Sequence, residues 1–329
     1  MKLATLRSDT PDGILIVVSD DNQRFVSAKD IAPTLLNAIE NWHKVENDLK
    51  QLSQRLNSND LPEAQPLDSL SDLAAPLPRT WQWLDGSAFP QHGELMEKAY
   101  DLPPIETDKP LMYQGLSDHF FGPADDIYFP SEDGGIDFEG EFGVIVDAVP
   151  MGVTVKEAEH HIKLIVQLND WSLRALGVAE MKTGFGWVQG KPACSMAGVA
   201  LTPDELGDAW KDGQINLPLR IDLNGERFGE AVGNEMEYGF PELITHAAAT
   251  RNLPAGTIIG SGTVSNKNYA AVGSSCLSER RAIDLIESGV INTPFMSFGD
   301  RVRMEARGSD NKPLFGAIDQ RVTQKGALV

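Results

Sequence analysis

The chain is predicted to be an α+β protein dominated by short strands, with a small N-terminal domain and linker over residues 1–75 and a larger β-rich domain over residues 76–329. Three observations predict this. Most apolar runs are a few residues long and punctuated by Gly and Pro, few segments keep a helical period, and a stretch rich in Ser, Asp and Pro divides the chain. Many short strands with few helices argue for a β core that is closed or sandwiched.

The elements follow in order. "GILIVVS" and "RFVSA" flank the turn-type "DDNQ" and read as a hairpin within a set of two or three strands. From Ser27, a capping candidate, "AKDIAPTLLNAIENWHKVENDLKQLSQRL" has helical spacing interrupted early by Pro33. "NSNDLPEAQPLDSLSDLAAPLPR" is the linker, placing a boundary near residue 75. Beyond it, "FGVIVDAVP", "KLIVQLND", "LPLRIDLNG", "GTIIGSGTVS" and "FGDRVRMEA" read as strands, and "VKEAEHHIKLI" and "FPELITHAAATR" as helices.

With 41% hydrophobic residues the chain can bury a sizeable core, and its net charge of −20 repels phosphate backbones and anionic lipid, so nucleic acid and membrane surfaces are poor partners. Runs such as "ILIVV" are far too short to span a bilayer and "MKLATLRSDTPDG" has no secretory h-region, so a cytoplasmic location is expected. Cys194 and Cys276 lack metal or redox spacing and read as reduced core thiols.

Chemistry concentrates in three segments. In "GIDFEGEFGVIV", Asp137, Glu139 and Glu141 alternate and would share one face of a strand; they form either a solvated acidic face or a seat for a hard cation. "LIVQLNDWSLR" ends a strand at Asp170, which is either a helix N-cap or a functional carboxylate. "WQWLDGSAFPQHGELM" holds Asp85 and, seven positions on, His92.

Over roughly residues 80 to 320 these segments together resemble the fumarylacetoacetate hydrolase family, in the acid-x-acid pair Glu139-Gly140-Glu141 and in "NDWS" about thirty residues later. The resemblance implies a mixed β-sheet roll of barrel-like form and a divalent metal, Mg²⁺ or Ca²⁺ with Mn²⁺ also suitable, held by Asp85, Glu139, Glu141 and Asp170, leaving Asp137 outside the ligand set. It implies His92 as the base and Glu279 in "CLSERR" as its partner, with Lys191 in "QGKPACS", Arg174 and Thr263 in "GSGTVSN" near the substrate. The implied reaction is hydrolysis of the C–C bond of a 1,3-diketo acid, foremost fumarylacetoacetate to fumarate and acetoacetate in tyrosine or aromatic catabolism, by a homodimer. In the eukaryotic members a Tyr after the first Asp, and a Gln and a Tyr after "NDWS", would touch substrate; here those places hold Ser87, Gly177 and Met181, and "PLMYQGLSDHFFGP" points to a shorter bacterial branch.

The rival readings are an acylpyruvate hydrolase, a keto-acid decarboxylase, hydratase or isomerase on the same scaffold, and a non-catalytic cation-binding protein. "GSGTVSN" lacks both the phosphate-loop ending and the GxGxxG spacing, which argues against nucleotides. His160 and His161 are adjacent on a helix and would face apart, and Lys191 and Arg174 have the alternative of ordinary surface salt bridges.

Overall fold

The computed structural model describes residues 1–105, 107–309 and 311–324. An 11-stranded mixed sheet runs from Gln65–Pro66 through Arg24–Ser27, Ile14–Val18, Lys2–Leu6, Val199–Leu201, Ile162–Asn169, Gly140–Val146, Ile258–Gly260 and Trp83–Gly86 to Met112–Gly115, with Ser195–Met196 paired to Ile162–Asn169 off this path. The linker therefore does not interrupt the sheet: Lys2, Leu3 and Ala4 pair with Leu201, Ala200 and Val199. Trp83–Gly86 and Ile258–Gly260 are parallel, which aligns Asp85 with Gly260.

The first helical pattern starts later than Ser27. The chain passes Pro33, Thr34 accepts the Asn37 N–H, and the helix runs Leu35–Glu40; a second, Trp42–Asn57, follows directly. Pro33 disfavours helical backbone in the residue before it, so the stronger cap one position later takes over. Leu35, Ala38, Ile39, Trp42, Val45, Leu49 and Leu56, on the buried faces of these two helices, pack on Leu3, Leu15, Val17, Leu164, Val166 and Ile258. The N-terminal segment thus covers one face of the sheet that carries the acids.

The other face meets a five-stranded sheet ordered Glu226–Val232, Pro218–Leu223, Arg301–Ala306, Ile318–Gln324 and Ile127–Phe129. Phe142, Val144 and Ile165 join Leu219, Ile221, Val302 and Met304 in the core between the two sheets. At Gly140 they approach so closely that a Cβ would lie 2.6 Å from Ile221 Cδ1. Buried Gln167 stitches the layers, donating to the Met304 carbonyl at 3.1 Å and accepting from the Ala306 N–H at 2.8 Å. Later helices are shorter than the sequence pattern suggests. Val155–Glu159 gives way to strand at Ile162, and Phe240–Ala247 stops before Arg251.

Candidate active site

"GIDFEGEFGVIV" is not one strand. Ile136–Asp137 pairs with Ser172–Leu173, whereas Gly140–Val146 pairs with Ile162–Asn169 and Ile258–Gly260. The Asn169 side chain accepts the Glu139 N–H at the break, and the Asp170 N–H donates to the Glu139 carbonyl. The three acids therefore do not share one regular strand, and the solvated face is lost: Asp137 and Glu141 are 0% exposed and Glu139 is 5% exposed. Asp170 is not a helix N-cap either, since the next helix, Arg174–Met181, begins after Leu173.

Asp85, Glu141 and Asp170 converge, with a carboxylate oxygen from each lying within 4.8 Å of the others. Gly260 makes room for this, because a Cβ there would lie 2.3 Å from Asp85 Oδ1. At Gly262, φ is +79° and the N–H points back to Asp85 Oδ1 at 3.2 Å. No N–H or hydroxyl donates to either Glu141 oxygen, whose hydrogen-bonding neighbour is the Asp85 carboxyl. Burial, then the charge of Asp170, pushes the Asp85 carboxyl well above the usual range; burial, then Asp85 and Asp170, does the same to Glu141. Three buried acids with an orphaned carboxylate fit a hard divalent cation, which takes oxygen ligands and removes the repulsion.

Glu139 adjoins this trio, its charge acting on both Asp85 and Glu141, and is itself met by donors. It accepts from Ser172, Lys191 and Thr263 and pairs with Arg174 at 3.2 Å. Burial opposes its ionised form, but the charges of Arg174 and Lys191 prevail and hold it well below the usual carboxylate range. Lys191 bridges Glu139 to Asp170 Oδ2, the latter at 2.5 Å. Burial works against its ammonium, yet Asp170 and Glu139 raise it above the ordinary lysine range. Neither basic residue is a surface salt bridge. Arg174 holds Asp137 at 2.8 Å, and Asp137 also accepts the Leu277 and Ser278 N–H groups at the start of the helix Leu277–Ser288, outside the trio as expected.

That helix carries Glu279, whose Oε2 lies 3.1 Å from His92 Nδ1. His92 sits in the first turn of Pro90–Tyr100, a helix with Pro at its first position that follows the Asp85 strand by three residues. A carboxylate can only accept, so Nδ1 carries the hydrogen, and in a neutral imidazole the lone pair then lies on Nε2.

Four participants escape sequence reasoning. Tyr113 donates to Asp170 Oδ2 at 2.7 Å from a strand within the segment read only as a length variation. Cys194, a core thiol as expected, donates to Asp170 Oδ1 at 2.8 Å. Trp187 packs edge-on to Tyr113, and the Lys191 ammonium lies 5.3 and 5.7 Å from the two ring centroids. Ser172, inside "NDWS", could have been found from the motif; the others are brought in by topology. Ser87 and Met181 are exposed. Gly177 approaches the backbone of Gly190, where a Cβ would lie 2.9 Å from the Gly177 Cα.

Comparison with known proteins places the chain in a family. The 2,4-didehydro-3-deoxy-L-rhamnonate hydrolase of Sphingomonas sp. (strain SKA58) is 27% identical over 49% of this chain and 54% of its own; the chain thus spans about half the length of that curated relative. Fumarylacetoacetate hydrolase from Exiguobacterium antarcticum superposes with a TM-score of 0.69 at 18% identity, covering 99% of this chain and 100% of that one. Maleylpyruvate hydrolase from Sphingobium sp. SYK-6, in complex with manganese(II) and pyruvate, gives 0.67 at 17% identity, covering 99% and 100%. Residues 1–79 match the model for fumarylacetoacetase N-terminal domain 2. Residues 82–323 match that for the fumarylacetoacetate (FAA) hydrolase C-terminal region, and the chain belongs to this family of hydrolases, isomerases and tautomerases.

Proposed function

We propose that this protein is a divalent-metal-dependent hydrolase of the C–C bond in a 1,3-diketo acid, with fumarylacetoacetate or an acylpyruvate as the substrate. The observation that carries the reading is the His92–Glu279 pair, on the helix that follows the Asp85 strand, together with a trio of buried acids. Decarboxylation of a keto acid needs no base for water, whereas hydrolysis uses one, which the His92–Glu279 pair is arranged to supply; a hydratase or tautomerase would also use a base, on water or on a C–H, and the substrate test separates them from hydrolysis. Mn²⁺ and pyruvate in the maleylpyruvate hydrolase structure fit the same chemistry, pyruvate being half of an acylpyruvate.

Asp85, Glu139, Glu141 and Asp170 would hold the metal, Mg²⁺, Mn²⁺ or Ca²⁺. The ion supplies Lewis acidity, polarising the attacked carbonyl and stabilising the departing enolate. His92 takes the water proton at Nε2, while Glu279 holds Nδ1–H and so fixes ring and tautomer. Lys191 and Arg174 place positive charge near the acids and so offset the anionic substrate's repulsion, and Tyr113 keeps Asp170 oriented. Homodimerisation and a cytoplasmic setting are part of the proposal; among the described residues no helix is long and apolar enough to cross a membrane.

The test is loss of the diketone ultraviolet absorbance with fumarylacetoacetate and with an acylpyruvate, in Mg²⁺, Mn²⁺, Ca²⁺ or EDTA, with His92→Ala alongside. Metal-dependent loss abolished in the variant is expected. Turnover of neither substrate by folded, metal-loaded protein, with oxaloacetate decarboxylated or tautomerised instead, would replace hydrolysis with keto-acid chemistry. Metal binding without any turnover would leave a cation-binding protein.

A further inference from the structure

We propose that Lys191 is an internal counter-ion of the acid cluster, which yields its place when the acids take up a divalent cation and turns its ammonium toward Tyr113 and Trp187. The inference rests on the metal site proposed above and not on the reaction.

Asp170 is the residue that forces the choice. Its Oδ2 accepts from Tyr113 at 2.7 Å and from Lys191 at 2.5 Å, and its Oδ1 accepts from Cys194 at 2.8 Å. Both Oδ2 sites are taken and one remains on Oδ1, so a cation can ligate Oδ2 only where a donor leaves it. Tyr113 and Cys194 are neutral donors and can stay beside a carboxylate that ligates a cation. Lys191 carries the one full positive charge among the three, and it is repelled by a second cation on the same carboxylate. Glu139 tolerates the departure: Ser172 and Thr263 still donate to it, and Arg174 still pairs with it while anchored on Asp137. A place for the ammonium exists next to its present one, because the Tyr113 and Trp187 rings already lie 5.3 and 5.7 Å from Nζ and their faces attract cations. A single side chain thus neutralises the acids in the metal-free chain and presents positive charge to an anionic substrate in the metal-loaded one.

The deciding experiment is pulse labelling of lysine amines in the whole chain, with EDTA or with saturating MnCl₂, read by peptide mass spectrometry. Lys191 is expected to react at least fivefold faster with Mn²⁺, while the exposed Lys44 and Lys50 of the N-terminal helix do not change. In parallel, Mn²⁺ titration followed by electron paramagnetic resonance is expected to show Lys191→Met binding at least tenfold more tightly than the wild type. Charge repulsion without displacement would tighten binding in the variant but leave Lys191 labelling unchanged in the wild type; that result overturns the proposal, as does slower labelling or weaker binding in the variant. Absence of Mn²⁺ binding by the wild type overturns the metal site itself and this inference with it. The labelling arm needs no variant and decides the matter even where Lys191→Met does not fold.

Discussion

Replacing Glu141 with Gln should make the metal-free protein more stable and the metal-loaded protein less so. The side chain is 0% exposed, no N–H or hydroxyl donates to either of its oxygens, and it lies within 4.8 Å of carboxylate oxygens of Asp85 and Asp170. Two full charges at that separation repel by about 3.5 kcal/mol at an effective dielectric constant of ~20. Protonation already relieves part of this, since burial and the neighbouring acids push Glu141 and Asp85 upward, so the gain from Gln is about 1–2 kcal/mol. Unfolding 329 residues at about 2 cal/mol/K each makes 1 kcal/mol worth roughly 1.5 °C, so Tm in EDTA should rise by about 2–3 °C. Conversely, Mn²⁺ at ~100 times its Kd adds about 2.7 kcal/mol, or roughly 4 °C, to the wild type. The variant, lacking a charged ligand, should lose most of that increment. Differential scanning fluorimetry of both proteins in EDTA and in MnCl₂ reads the crossover directly. A variant that is less stable in EDTA, or one that keeps the full Mn²⁺ increment, would show that Glu141 is not a strained ligand awaiting a cation.

Further expectations rest on other parts of the site. In EDTA, wild-type Tm should fall from pH 5 to pH 8 more steeply than that of Glu141→Gln: raised carboxyls bind protons that the unfolded chain has released, so the stability they contribute is complete at low pH and is lost as pH rises through their folded values. His92→Ala should lower kcat by about 10²–10⁴ while leaving the Mn²⁺ increment in Tm unchanged, which steady-state kinetics and fluorimetry together would separate. Gly260→Ala, whose Cβ would meet Asp85 Oδ1 and the Trp83 ring at 2.3 Å, should cost about 1–3 kcal/mol and weaken Mn²⁺ binding, measurable by denaturant titration and calorimetry. Tyr113→Phe should leave Tm nearly unchanged in EDTA but loosen Mn²⁺ by several fold, because Asp170 loses its neutral orienting donor.

What was legible in the sequence, and what was not, follows from the range of each signal. Strand periodicity and turn residues act over a few positions, and they located the strands around Ile14–Val18, Gly140–Val146 and Ile162–Asn169. The same local rule failed at "GIDFEGEFGVIV", where alternation implies one face. The break between Asp137 and Gly140 is imposed from outside, by the Asn169 side chain on the Glu139 N–H and by Ser172–Leu173 pairing with Ile136–Asp137. It sends Asp137 to Arg174, Glu139 to Lys191, and Glu141 to Asp85 and Asp170. Motif spacing carried His92, because Asp85 and His92 lie on consecutive elements joined by three residues, so chain distance stands in for spatial distance. It carried Glu279 only by resemblance, since the pair spans 187 positions and is closed by a helix whose N-terminus Asp137 ties down. Tyr113 and Cys194 had no such proxy. Tyr113 reaches Asp170 from the strand Met112–Gly115 and Cys194 from the residue just before Ser195–Met196, and the pairing that brings them there is decided by strand order, which no window of sequence contains. The acids were therefore readable one by one, whereas the partners each one meets, Arg174 for Asp137, Lys191 for Glu139 and the neighbouring carboxyls for Glu141, belong to the fold.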